Sequence, residues 1–380
     1  MRQWPNVALG EVLKHRKEFI LLDDTEHYNR CRVQLHVKGV VLRDTVPGSD
    51  IKTKRQQVCH AGEFLVAEID AKMGGFGIVP ESLEGAVVSS HYFLFEIDGT
   101  KLDRSFLDYF IRTTVFRNQV EAQGSTNYAA IRPASVLGYQ MPLPSPLEQQ
   151  AIVSRLDKLA DKVRQVDEHL DAIERDADRL LAVRFRNAIV DAPMWPMAEV
   201  APLVRREIAI ELEGNYPELG IRSFGKGTFH KPPLSGAEVG TKRLFSIEPG
   251  DLLFSNVFAW EGAIAVAQPE DAGRFGSHRF ITCRANPDIT SPEFLRYYFL
   301  ADAGLEKIGE ASPGGAGRNR TLGLEKLMAI QVPIPSPDTQ RTFNALQTKV
   351  AEMKARHATI RRTKDALIPA TLERVFSEAH

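Results

Sequence analysis

The chain is a tandem duplication, so its fold has to be built from two like units. Pro142-Leu143-Pro144-Ser145-Pro146 recurs as Pro333-Ile334-Pro335-Ser336-Pro337, and a glutamine follows each run at the same distance, Gln149 and Gln340. Trp4-Pro5 recurs at Trp195-Pro196, which gives both ends of the unit the same shift of 191 residues. Between them the shift drifts slightly, as loop insertions require. Gly62-Glu63-Phe64-Leu65 matches Gly250-Asp251-Leu252-Leu253, Ser90-His91-Tyr92-Phe93 matches Ser277-His278-Arg279-Phe280, and Phe106-Leu107-Asp108-Tyr109-Phe110 matches Phe294-Leu295-Arg296-Tyr297-Tyr298.

Each copy reads as a domain, a proline-rich hinge and a helix, with boundaries at 1–145 and 146–191, then 192–335 and 336–380. Short apolar runs such as Gly77-Ile78-Val79, Ala86-Val87-Val88 and Tyr92 to Ile97, set between Gly, Pro and Asp turns, predict strands. Asp103 to Val115 places Phe106, Leu107, Phe110 and Ile111 at a helical period, with Ser291 to Leu300 as its counterpart. Strands first and a helix late predict an α+β class with two mixed α/β domains. The alternate prolines of each hinge fix φ and hold the preceding residues extended.

Beyond each hinge the period changes. Ile152, Leu156, Leu159, Val163, Val166, Leu170, Ile173, Ala177 and Leu180 follow spacings of 4, 3, 4, 3, 4, 3, 4 and 3, a coiled-coil seam that needs a partner helix. The second copy supplies one through Phe343, Leu346, Val350, Met353, Ile360 and Leu367, so the two helices are expected to pair as a coiled coil. His357 and Lys364 interrupt that seam, and Pro369 should end or kink the helix near Ile368. A run of about 30 helical residues spans roughly 45 Å, a little over one turn of B-DNA at about 34–36 Å.

The remaining bulk properties mostly exclude. No stretch of about 18 apolar residues exists and the N-terminus lacks signal-peptide order, so a cytoplasmic protein is expected. The three cysteines, Cys31, Cys59 and Cys283, show neither disulfide nor zinc spacing and read as buried free thiols. Formal net charge is only −1, so any nucleic-acid contact must use a local basic face. No phosphate-binding loop, metalloprotease motif, nucleophile elbow or Asn-Pro-Pro-aromatic tetrapeptide occurs. Gly74-Gly75-Phe76-Gly77 reads as a hairpin turn, and His91 and His278 as structural hydrogen-bonders without a visible carboxylate partner.

Met141-Pro142-Leu143-Pro144-Ser145-Pro146-Leu147-Glu148-Gln149-Gln150-Ala151-Ile152-Val153 resembles the junction of the specificity (S) subunits of type I restriction-modification systems. Gly124 to Asn127 and Gly250 to Ser255 also look like that family's patterns. At the second junction Asp338-Thr339-Gln340 departs from the family's usual Glu-Gln. The resemblance spans the chain, and it implies two target-recognition domains, each reading one half of a split asymmetric DNA target, with the two helices pairing as an antiparallel coiled coil that serves as a ruler. It further implies a non-catalytic subunit, and two methyltransferase (M) and further restriction/translocase (R) partners. The cofactors S-adenosylmethionine, ATP and Mg would belong to those partners and none to this chain. The alternative is a tandem-repeat protein-interaction scaffold assembled through the coiled coil.

DNA contact requires Lys and Arg near phosphates and Arg, Lys, Asn or Gln near base edges. The first domain offers Lys52, Lys54, Arg55, Gln56, Lys72, Asn127, Tyr128 and Arg132. The second offers Arg222, Lys226, Lys242, Arg243, Trp260, Arg318, Asn319 and Arg320.

Overall fold

The computed structural model describes residues 4–121, 130–314 and 320–377. They divide into two compact units, Met1–Leu170 with His357–His380, and Asp171–Arg356. This division cuts through both long helices, whereas the repeat alone assigns each helix whole to the domain before it. Each unit holds a complete domain, the start of the helix that follows it and the end of the other copy's helix.

In the first unit an antiparallel sheet runs Leu13–Arg16, Tyr92–Ile97, Phe64–Ala67, Phe76–Ile78. A five-stranded sheet runs Phe19–Leu21, Arg55–Val58, Val87–Val88, His27–Val33, Val40–Pro47. Phe64, Phe76 and Phe116 fill the core between sheet and helices, with ring centroids 5.1–6.4 Å apart. The helix expected from 103 to 115 splits into Arg104–Phe110 and Thr114–Glu121. Asp103 caps the first through the amides of Ser105 and Phe106. Buried Thr113 divides them: its hydroxyl donates to the Phe110 carbonyl at 2.7 Å and accepts from the Phe116 amide at 3.3 Å. A side chain that satisfies one helix's end and the next one's start makes a break cheaper than continuation.

The second unit repeats the plan. Ile264–Val266, Asp251–Ser255 and Phe280–Arg284 form one sheet, and Thr228–Ser235, Asn215–Ile221, Phe275–Ser277 and Leu244–Ser246 another. Helices Pro292–Leu300 and Asp302–Glu310 cover the core. The duplicated ends pair in both units: Asn6–Ala8 with Gln140–Pro142, and Met194–Pro196 with Gln331–Pro333.

The glutamine after each hinge explains why the junction is written twice. Gln149 is buried; its side-chain oxygen accepts from the Asp103 amide, and its nitrogen donates to the carbonyls of Lys101 and Pro144, all at 2.8–2.9 Å. Gln340 does the same work with the Thr290 hydroxyl and the carbonyls of Ile289 and Pro335, each at 2.9 Å. The glutamine therefore bolts the helix start to its domain. The second junction's departure costs little, because Thr339 bonds Ser336 where Glu148 bonds Ser145.

The first long helix runs Pro146–Ile189; the second runs Pro337–Asp365 and, after a break at Ala366, Leu367–Ser377. Pro369 sets the break, since it cannot donate to Asp365, four residues back. Within each unit the helix segments run antiparallel. In the first, 152–162 lie against 367–375 while Asp167 meets Arg361, at 3.5 Å, and Lys364. In the second, Asp178 holds Lys354 at 2.6 Å and the ring of Phe185 meets Phe343 at 5.2 Å.

The regular seam needs correction. Leu156, Leu170, Phe343 and Val350 are buried and Ile152, Leu159, Val163, Leu346 and Met353 half-buried, but Val166, Ile173, Ile360 and Leu367 are 38–47% exposed. A straight helix drifts about 20° per heptad from an ideal seam, so an inward column passes through Asp167, which meets Arg361 and Lys364 in the first unit, and through Leu181, which is buried in the second. Leu170→Ala should cost about 2–5 kcal/mol. Ile173→Ala should stay within about 0.5 kcal/mol. Thermal unfolding of the two variants checks this, and equal losses would reinstate the regular seam.

All three cysteines are free and buried. Cys31 and Cys59, distant in sequence, bring their sulfurs to 3.6 Å. No helix among the described residues is long and apolar enough to cross a membrane.

Candidate nucleic-acid interface

All the predicted DNA contacts except Arg132 fall into three groups. Asn127, Tyr128, Arg318 and Asn319 lie outside the described residues. A second group occupies a stretch duplicated as Thr53-Lys54-Arg55 and Thr241-Lys242-Arg243, and much of it is committed internally. Lys54 pairs with Asp24 and donates to the Gly48 carbonyl at 2.6 Å. Arg55 stacks on Phe19, 4.3 Å from the ring centre. Arg243 is paired with Glu207, which raises its pKa. Gln56 is buried, and its amide donates to the Thr53 carbonyl at 2.6 Å; this withdraws it from the surface, against expectation. Lys52 and Lys242 stay exposed.

The third group converges on one structural element in each unit, the tip of a β-hairpin. The strands His27–Val33 and Val40–Pro47 are joined by residues 34–39, and Asn215–Ile221 and Thr228–Ser235 by residues 222–227. Both six-residue tips are closed by the same bond, Gln34 N to Gly39 O at 2.8 Å and Arg222 N to Gly227 O at 2.9 Å. Both are pinned to the neighbouring turn by the same two bonds. The amides of His36 and Val37 donate to the carbonyls of Met73 and Gly74 at 2.7 and 3.0 Å, and those of Phe224 and Gly225 to Glu261 and Gly262, both at 2.8 Å.

Both tips take the left-handed backbone region at two consecutive residues: φ is 61° and 57° at His36 and Val37, and 61° and 64° at Phe224 and Gly225. For non-glycine residues this region is costly, of order 1–3 kcal/mol each, and worst when the side chain is β-branched. Gly74 lets the tip dock, because a Cβ there would lie 2.8 Å from the Val37 nitrogen. The Gly74 to Gly77 run is thus the seat of the hairpin, in keeping with its reading as a turn.

Predicted cations gather around the tips. Lys72 lies in the turn beneath the first. At the second, Lys226 sits over the Phe224 ring at 5.7 Å, Arg222 over Phe229 at 5.0 Å, and Arg320 over Trp260 at 5.2 Å. Arg296 donates from below to the Gly225 carbonyl at 2.7 Å, with its pKa lowered by burial. The sequence reading missed His36, Lys38 and Phe224. The signal was the recurrence of Lys-Gly, Lys38-Gly39 and Lys226-Gly227, at the 188-residue shift that relates Gly62 to Gly250.

Arg132 and His91 converge on Glu68, at 3.0 and 2.8 Å. His91 therefore has the carboxylate neighbour that the sequence did not reveal. In the second copy Asn256 stands at the matching place: its carbonyl accepts from the Leu322 amide as that of Glu68 accepts from Ile131. Among the described residues no group of three or more His, Cys, Asp or Glu could hold a metal ion.

Comparison with known proteins finds solved structures of like fold. The chain is similar to the HsdS subunit from Thermoanaerobacter tengcongensis, with 19% identity, a TM-score of 0.61, and coverage of 99% of this chain and 97% of that one. A structure described under complex assembly and conformational transition of the type I R-M system matches with 20% identity and a TM-score of 0.68, covering 98% of this chain and 97% of that one. These likenesses concern the fold. No curated protein matches. Residues 1–175 match the Type I restriction modification DNA specificity domain.

Proposed function

We propose that the chain is the non-catalytic, sequence-reading subunit of a type I restriction-modification complex, binding double-stranded DNA at a split, asymmetric target. The observation that carries this reading is the pair of hairpin tips. Their backbones match bond for bond while their side chains differ, with His36 against Phe224, Gln34 against Arg222 and Lys72 against Trp260. Two alike frames with different contacts fit two different half-sites. Two M subunits carrying S-adenosylmethionine, and R subunits using ATP and Mg, supply the chemistry. In the second unit Ile173, Leu180 and Val183 are exposed apolar residues on the first helix, suited to contact with a partner subunit.

Footprinting of the complex of this chain with its methyltransferase should protect two short blocks separated by several base pairs. One continuous block would contradict a split target. Salt titration separates the reading from a protein scaffold, since phosphate contacts give a steep dependence of affinity on salt and a scaffold gives none.

A further inference from the structure

We propose that the two hairpin tips are the base-reading elements of the protein, with Phe224 reading a thymine methyl group in the second half-site and His36 making the matching contact in the first. The inference rests on the DNA-binding reading above and assigns it to particular side chains.

Phe224 is 75% exposed, and nothing in the fold requires an aromatic ring there. Its backbone holds the conformation through main-chain bonds that any residue could make. A large apolar side chain held outward at a strained turn, with cations gathered beside it, points to a ligand. The first tip shows the same tendency, exposing Leu35 and Met73 beside His36.

The surroundings specify the ligand's chemistry. Each tip carries a lysine two residues past the reading position, Lys38 and Lys226, and Arg222 flanks the second. Cations around an outward apolar group suit a polyanion that also offers apolar contact, which is the character of a DNA groove. The major groove admits a two-stranded β-ribbon and displays the thymine methyl as its apolar group. Phe224 suits that methyl. His36 can donate or accept a hydrogen bond at a base edge. Lys38 and Lys226 would then hold flanking phosphates and fix the register.

The test uses the complex with its methyltransferase. Methylome sequencing defines the wild-type target, and binding is then measured on that duplex and on copies with deoxyuridine in place of each thymine. Loss of one methyl contact should weaken wild-type binding about fourfold at one position of the second half-site. Phe224→Ala should lower affinity for the intact target by at least that factor, abolish the response to that deoxyuridine and leave the first half-site unchanged. His36→Ala should relax only the first half-site. Lys226→Ala should weaken all sequences alike and reduce the salt slope by about one.

A second half-site indifferent to every deoxyuridine would overturn the inference. So would a Phe224→Ala complex that keeps the wild-type response, or one that loses affinity for all DNA equally. Thermal melting of Phe224→Ala should match wild type, as its exposure dictates; a collapsed melt would assign the ring to folding instead. A wild-type complex with no split target would refute the underlying DNA reading, a result separable from the others.

Discussion

Phe376→Ala lowers the stability of the first unit by about 3–5 kcal/mol, although residue 376 lies at the far end of the second copy. Its ring is fully buried, 5.1 Å from Phe106 and 5.4 Å from Phe110 between ring centres, with Leu372 buried beside it. Removing it leaves a ring-sized cavity among aromatic side chains that cannot close over it. The sequence-matched Phe185→Ala should act on the second unit, where Phe185 packs with Phe294, Tyr297 and Phe343 at 4.8–5.4 Å. Hydrogen exchange on the full-length chain distinguishes the two. Amides of Phe64–Ala67 should lose protection in the first variant and those of Asp251–Ser255 in the second. Loss confined to the two helices would show that the rings contribute nothing to the domains.

Asp251→Ala should cost a comparable amount. The carboxylate is fully buried and accepts from Arg206 at 2.7 Å, Arg284 at 3.1 Å and the Glu248 amide at 2.9 Å. A hydrogen bond to a charged group contributes about 1.5–3 kcal/mol, and the substitution removes those from both arginines and leaves the Glu248 amide without its acceptor. Glu63 holds the matching place in the first unit, receiving Arg16 at 2.7 Å and the His60 amide at 2.7 Å. Urea denaturation monitored separately in each unit should show Asp251→Ala shifting only the second transition. An unshifted midpoint would mean that the arginines find water as good a partner as the carboxylate.

These two sites also show what a sequence discloses. The repeat, the proline hinge and the two helices were legible because they rest on local rules: proline geometry, apolar period and recurrence. Gln149 could be singled out by recurrence, but its bonds to Asp103 and Lys101 could not, since they join segments over 40 residues apart. The seam was half legible, because periodicity marks the apolar columns and not which of them faces a partner once Asp167 and Lys364 pair. Among the DNA candidates, charge alone could not separate Arg243, already neutralised by Glu207, from Lys226, which overlies an exposed ring. The tips were hardest to see. A histidine and a valine in left-handed conformation break the usual turn chemistry of glycine and asparagine.

The main-chain pinning of those tips separates foldability from preference. All three bonds that set each tip use backbone atoms, so exchanging the side chain at 36 or 224 for one that is neither proline nor β-branched leaves the frame intact. The penalty for change falls instead on the seat, at Gly74, where a Cβ would strike the hairpin's backbone. A chain built this way can drift toward a new target one half at a time without passing through an unfolded intermediate, and its duplicated halves are free to diverge in what they prefer.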